Sequence, residues 1–110
     1  MSLRFRICSP AEVDIAQHAE FLAKQSLPVA LRFVDAVQAA IREACDTPQA
    51  GLPCNLLNPT FADVRSWPVR RFPHHRVFYR MSGGEIEVLR VLHTARDLGL
   101  IFGSPDPKST

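Results

Sequence analysis

The chain has 110 residues, of which 46% are apolar and 22% charged, a balance that suits one hydrophobic core and argues against two separate small cores. No run of about 18 apolar residues occurs, and Arg4, Arg6, Glu12 and Asp14 fall where a signal peptide needs an apolar stretch. The expectation is a soluble, cytoplasmic protein without a membrane span. Cys8, Cys45 and Cys54 are odd in number and lack a C-x-x-C spacing, so neither a disulfide framework nor a zinc ribbon is expected, and Cys8 and Cys45 are assigned to the core.

In chain order, Leu3-Arg4-Phe5-Arg6-Ile7-Cys8 alternates apolar and basic residues, the pattern of a strand buried on one face. Ser9-Pro10-Ala11-Glu12 then reads as a capping box, with Ser9 as N-cap, Pro10 at the first helical position and Glu12 at the third. Ile15, Ala16, Ala19, Leu22 and Ala23 follow as the apolar face of that first helix. Ser26-Leu27-Pro28 ends it and starts another. The second helix carries the stripe Ala30, Phe33, Val34, Val37, Ala40, Ile41 and Ala44, and ends before Thr47-Pro48. So short a link predicts a helical hairpin.

Residues 47–63, with Pro48, Gly51, Pro53 and Pro59, show no period and read as a long ordered loop. Residues 64–69 form a plausible strand, which Pro68 confines to an edge or a bulge. Residues 76–81, the turn Ser82-Gly83-Gly84 and residues 85–92 read as a hairpin of two central strands. The fold class is therefore α+β, β-α-α-β-β-β, with the helical hairpin packed on a mainly antiparallel four-stranded sheet. Residues 1–103 are taken as one domain and 104–110 as a flexible tail.

Charge is unevenly spread. Residues 1–63 hold five basic and seven acidic side chains, whereas residues 64–96 hold seven arginines against Glu85 and Glu87. A segment of charge +5 within a chain of net charge +2 points to an anionic partner, either nucleic acid or an acidic protein segment. A DNA-reading helix is not indicated, because the stronger helix balances Arg32 and Arg42 against Asp35, Glu43 and Asp46. Neither a phosphate loop nor a G-x-S-x-G elbow occurs. The adjacent His74 and His75 point to opposite faces of a strand and do not share a metal ion. Neither metal nor cofactor is expected.

This element order resembles the RelE/ParE superfamily of plasmid-stabilisation toxins. The resemblance spans about residues 3 to 102. It rests on Pro28 to Ile41, the Pro48 to Gly51 turn, Arg65-Ser66-Trp67-Pro68-Val69, Val77-Phe78-Tyr79-Arg80 and, most specifically, the ParE-like ending Glu87 to Asp97. It implies the toxin of a type II toxin–antitoxin module, bound by a cognate antitoxin in a hetero-oligomer. RelE-like members cut messenger RNA on the ribosome, whereas ParE-like members inhibit DNA gyrase and are not known to catalyse a reaction.

A metal-free ribonuclease requires a base, an acid and cations around the phosphate. His74, His75 and His93 are candidate acids or bases, Arg65, Arg71, Arg76, Arg90 and Arg96 candidate clamps, and Tyr79 a donor. His93, Arg71, Arg90 and Tyr79 form the set taken forward for that reading. Against it, the lysines of RelE have no counterpart, since the chain's two lysines are Lys24 and Lys108. The reading taken forward is therefore the ParE-like one, with Trp67, Arg65, Arg76, Arg96, Leu98, Ile101 and Phe102 as partner-binding residues. RNA cleavage and an inactive, antitoxin-binding member are the alternatives.

Overall fold

The computed structural model describes residues 2–94, 96 and 97; the tail, with the partner-binding candidates Leu98, Ile101 and Phe102, lies outside the described residues. Strand β1 (Arg4–Ile7) leads into helix α1 (Ser9–Ala23) and helix α2 (Leu27–Asp46), followed by β2 (Leu52–Pro53), β3 (Arg65–Pro68), β4 (His75–Ser82) and β5 (Glu85–His93). The sheet has five strands in the order β1-β5-β4-β3-β2. β1 pairs with β5 in parallel, and every other pairing is antiparallel. The predicted four strands are thus corrected to five. The additional one comes from the loop, where Leu52 and Pro53 pair with Ser66 and Arg65. A two-residue edge strand has no readable period, so its formation depends on β3 being in place.

Two further corrections concern α1. Its N-cap is Cys8 and makes no side-chain cap bond; Ser9 and Pro10 are already helical. Cys8 is accordingly half-buried at the helix entry and outside the core. The apolar face also runs differently: Ala11 is fully buried, Ile15, His18, Ala19 and Leu22 are partly buried, and Ala16 and Ala23 are exposed. Helix α2 behaves as its stripe predicts. Ser26 caps it by accepting from the Val29 N–H (3.4 Å), and Ala30, Phe33, Val37, Ala40, Ile41 and Ala44 are buried, with Val34 only partly so.

These helices cover one face of the sheet, where Phe33, Val37 and Ile41 meet Val77, Tyr79, Ile86, Val88 and Val91. The turn between β4 and β5 places Gly83 (φ 59°) and Gly84 (φ 79°) in the left-handed region, matching the strands' own twist. Within this hairpin Phe78 lies opposite Arg90 but Tyr79 opposite Val88. Leu89 is therefore an extra residue, a bulge that resets the alternation of β5. Ile86, Val88 and Val91 face the helices, while Leu89 and Leu92 face the other side. There Leu56, Val64, Phe78 and Leu92 form a second, smaller core, with Cys54 and Phe61 packed against it. The loop expected to be long and ordered thus covers part of the second sheet face and includes 3-10 turns at Pro48–Ala50 and Pro59–Phe61.

Candidate functional site

All four histidines of the chain gather where the middle of α1 meets the start of β4 and the end of β5. The His18 and His75 ring centroids are 4.1 Å apart, His75 and His93 5.4 Å, and His74 and His93 5.2 Å. Phe33 backs the group, 4.7 Å from His18 and 5.3 Å from His75. A cleft of about 240 Å³ opens over this cluster, lined by Asp14, Gln17, His18, Phe21, His75, Val91, His93, Arg96 and Asp97. A neighbouring hollow of about 270 Å³ adds Arg71, Phe72, Pro73 and His74.

His18 is the member that sequence reading missed. It lies three residues after Ile15 and four before Leu22, on the same helical face, so the spacing was visible once that face was placed correctly. Both His18 and His75 are held below the ordinary imidazole pKa, His75 down to about 4. Burial is the main cause in each case, because a charged imidazole loses its hydration there. Repulsion from Arg96 and His93 adds to it in both, and from His18 in the case of His75, while Asp97 partly opposes the shift of His75. The His75 ring is therefore neutral at pH 7. His93 keeps its Nδ1 buried without a partner among the described residues.

The arginines of this region are occupied. Arg90 donates through Nε and Nη2 to the two carboxylate oxygens of Asp14 (both 2.7 Å), which also accepts the Val91 N–H at 3.0 Å. Arg96 donates to both oxygens of Asp97 (3.0 and 3.3 Å), and the His93 N–H bonds the same carboxylate. Arg96 accordingly holds the Asp97 carboxyl below its ordinary pKa. Arg71 is exposed, in the left-handed region at φ 70°. The ribonuclease set is therefore only partly assembled. His93 and Arg71 share the hollow and Arg90 sits nearby on Asp14, but Tyr79 is fully buried and donates its hydroxyl to the Pro48 carbonyl at 2.7 Å. Tyr79 is a core residue, as strand alternation allows.

A second surface lies along the β2–β3 edge, a groove of about 760 Å³ containing Glu43, Arg65, Trp67, Arg70 and Arg76. Arg65 donates to the carbonyls of Gln49 (3.1 Å) and Gly51 (2.8 Å). Arg76 donates to the Ser66 hydroxyl (2.8 Å) and carbonyl (3.3 Å). These acceptors are neutral, and among the described residues neither cation pairs with a carboxylate. Arg70 instead pairs with Glu43, which also accepts from Trp67 Nε1 at 3.2 Å. Trp67 packs against the main core beside α2. Trp67, Arg65 and Arg76 thus come together, while Arg96 lies apart in the histidine cleft.

The profile described as "ParE toxin of type II toxin-antitoxin system, parDE" matches residues 6–98. The chain belongs to the ParE toxin family. No curated protein gives a significant match. Among solved structures, the chromosomal ParDE system from P. aeruginosa aligns with TM-score 0.68 at 18% identity, over 84% of this chain and 96% of that one. A YoeB/ParE toxin from Agrobacterium tumefaciens aligns at 0.52 with 24% identity, over 83% and 98%. The RelBE2 toxin–antitoxin complex from Mycobacterium tuberculosis aligns at 0.51 with 22% identity, over 84% and 99%. These likenesses are of fold; the family assignment comes from the profile. No described helix is long and apolar enough to cross a membrane, and no described group of His, Cys, Asp and Glu has the geometry to hold a metal ion.

Proposed function

We propose that this ParE-family toxin arrests growth by binding DNA gyrase, that it does not cleave RNA, and that a cognate antitoxin neutralises it. The observation that carries the choice is the pairing of Arg90 with Asp14 and of Arg96 with Asp97 in the histidine cleft. A phosphate undergoing in-line cleavage gains negative charge and needs uncompensated cations around it. Asp14 and Asp97 at the cleft wall engage Arg90 and Arg96, so neither guanidinium is free to take such a phosphate. His75, whose pKa burial holds down to about 4, is neutral at pH 7 and has no proton to give a leaving oxygen. The groove beside Trp67 suits a protein partner better, because Arg65 and Arg76 remain uncompensated next to an aromatic anchor. That groove is assigned to acidic side chains of the antitoxin.

Purified gyrase supercoiling a relaxed plasmid, with and without the protein, tests the reading. Loss of supercoiling is expected, with relief on adding antitoxin. The ribonuclease reading is favoured by one observation, the shared hollow of His93, Arg71 and His74. Ribosome-dependent messenger cleavage with unchanged supercoiling would establish it instead. No effect in either assay would leave an antitoxin-binding member without toxicity.

A further inference from the structure

Two hollows adjoin where α2 runs beside β3 and the turn that follows it. One, of about 470 Å³, has a floor of Val29, Ala36, Ala39 and Phe72 and a rim of Arg32, Asp35, Arg70 and Arg71. The other is the Trp67 groove with Arg65 and Arg76, and Arg70 lines both. On α2, Arg32, Ala36 and Ala39 follow at helical spacing along one face, and the small alanines keep the floor low beside the cation. In the turn, the Phe72 N–H bonds the Val69 carbonyl at 3.0 Å, which makes Arg70 and Arg71 its two middle residues. Arg71 stands there at φ 70°, a position that ordinarily favours glycine. The strained backbone thus carries a long, exposed cation where a residue without a side chain would fit more easily.

Charge is what a partner meets first on this strip. Among the described residues, Arg32, Arg71, Arg65 and Arg76 pair with no carboxylate. Arg70 is held by Glu43, yet its side chain is 76% exposed. Asp35, also exposed, is the acid that opposes them on the rim of the first hollow. The apolar floor residues there are half-buried, and none of the exposed large apolar side chains among the described residues borders that hollow. A protein partner draws most of its affinity from apolar anchors, which this end of the strip does not offer. Duplex DNA carries a charge every ~1.7 Å along its axis and needs only cations spread along a surface.

We propose that the strip from Arg32 through Arg71 and Arg70 to Arg65 and Arg76 binds the phosphate backbone of duplex DNA without reading its bases. Phosphate contacts position a protein and carry no sequence information, so the mixed charge of α2, unsuited to a recognition helix, is no obstacle. The proposal goes beyond the gyrase reading and does not rest on it. Where gyrase is the target, the strip holds the toxin to the DNA on which that enzyme works, a second attachment that strengthens the first. Its Trp67 end is the groove assigned above to the antitoxin, so a seated antitoxin displaces DNA from that end.

The test is fluorescence anisotropy of labelled duplexes of two unrelated sequences, titrated with the full chain and no gyrase present. Both should bind equally, and with about four phosphates engaged the affinity should fall on the order of 100-fold between about 50 and 200 mM salt. The double variant Arg32→Gln, Arg71→Gly should lower the salt slope by about 2 and weaken binding roughly 10-fold. Glycine suits the backbone of position 71, so circular dichroism should show this variant folded. Arg4→Gln, on β1 at the opposite edge of the sheet, should leave binding unchanged. Absence of binding at about 50 mM salt overturns the proposal, as does binding that the double variant does not weaken. Equal weakening by Arg4→Gln also overturns it, because net charge alone would then account for the affinity. A glutamate polymer that binds more tightly than the duplex would assign the strip to an acidic protein, and a single-stranded RNA that does so would assign it to RNA; either result overturns the proposal. Failure here leaves the gyrase reading standing, since the supercoiling assay decides that separately.

Discussion

Gly51 and Tyr79 make the tightest residue-level demand in the molecule. A Cβ built on Gly51 would lie 1.9 Å from the Tyr79 hydroxyl oxygen and 2.7 Å from the ring carbon that bears it. Gly51→Ala should therefore destabilise by ~1 to 3 kcal/mol through overpacking. Tyr79→Phe should cost about 1 kcal/mol by leaving the Pro48 carbonyl unpaired. The double variant should be less destabilised than the two costs combined, because removing the hydroxyl relieves part of the clash. Denaturant unfolding of the three variants measures this, and strict additivity would contradict the contact. His75 carries the pH prediction. Its folded pKa, about 4, is below the ordinary value of about 6.5, so the unfolded chain binds the proton more readily. Stability is complete above pH ~6.5 and falls as pH drops toward ~4, by up to ~3 kcal/mol. The neighbours His18, His93, Arg96 and Asp97 shape that window, and His75→Phe should flatten it in urea melts taken across the range.

Between elements, the ion pair of Asp14 in α1 with Arg90 in β5 fixes the helical hairpin to the last strand. Asp14 is only 10% exposed and Arg90 24%. Removing the carboxylate strands a half-buried guanidinium and the Val91 N–H together. Asp14→Ala should cost ~2 to 3 kcal/mol, less than a fully buried pair because water still reaches Arg90. The conservative Asp14→Asn keeps the bond from Val91 and should lose less. The packing of α2 is tested by Phe33, which is fully buried between the histidines and Phe72. Phe33→Ala should cost ~3 to 5 kcal/mol. A melting temperature equal to that of the unaltered chain would show that α2 buries another face.

For the whole molecule, the deciding prediction separates target binding from catalysis. Deleting residues 98–110 should abolish growth inhibition, because apolar anchors supply most of the affinity at protein interfaces. His93→Ala should leave most of it. A ribonuclease using His93 as acid or base would lose ~10²-fold or more in rate on that substitution. Circular dichroism and antitoxin binding of the truncated form distinguish lost contact from lost folding. Charge at this scale also differs from its linear reading. The +5 segment is not one basic face: Arg70, Arg80, Arg90 and Arg96 are paired with Glu43, Glu87, Asp14 and Asp97, and the uncompensated Arg65 and Arg76 collect at the β2–β3 edge.

Local signals were enough for the elements that organise themselves over short spans. The stripe from Ala30 to Ala44 repeats at 3.6 residues, and Gly83-Gly84 between two alternating runs defines a hairpin, so both were legible from residue order alone. The family was legible too, through the ending Glu87 to Asp97. What residue order left open was decided by contacts between distant segments. The β2 strand forms because β3 offers it a partner, and the loop over the second face is ordered by Phe78 and Leu92. The bulge at Leu89 changes which side chains of β5 face the helices. The histidine cleft is the clearest case: His18 stands 57 residues before His75, and the two rings meet only because α1 crosses the end of β5 beside the start of β4. Tertiary packing likewise chose the partners of the arginines, since a guanidinium pairs with the carboxylate that folding brings within reach, and separation along the chain does not predict that distance.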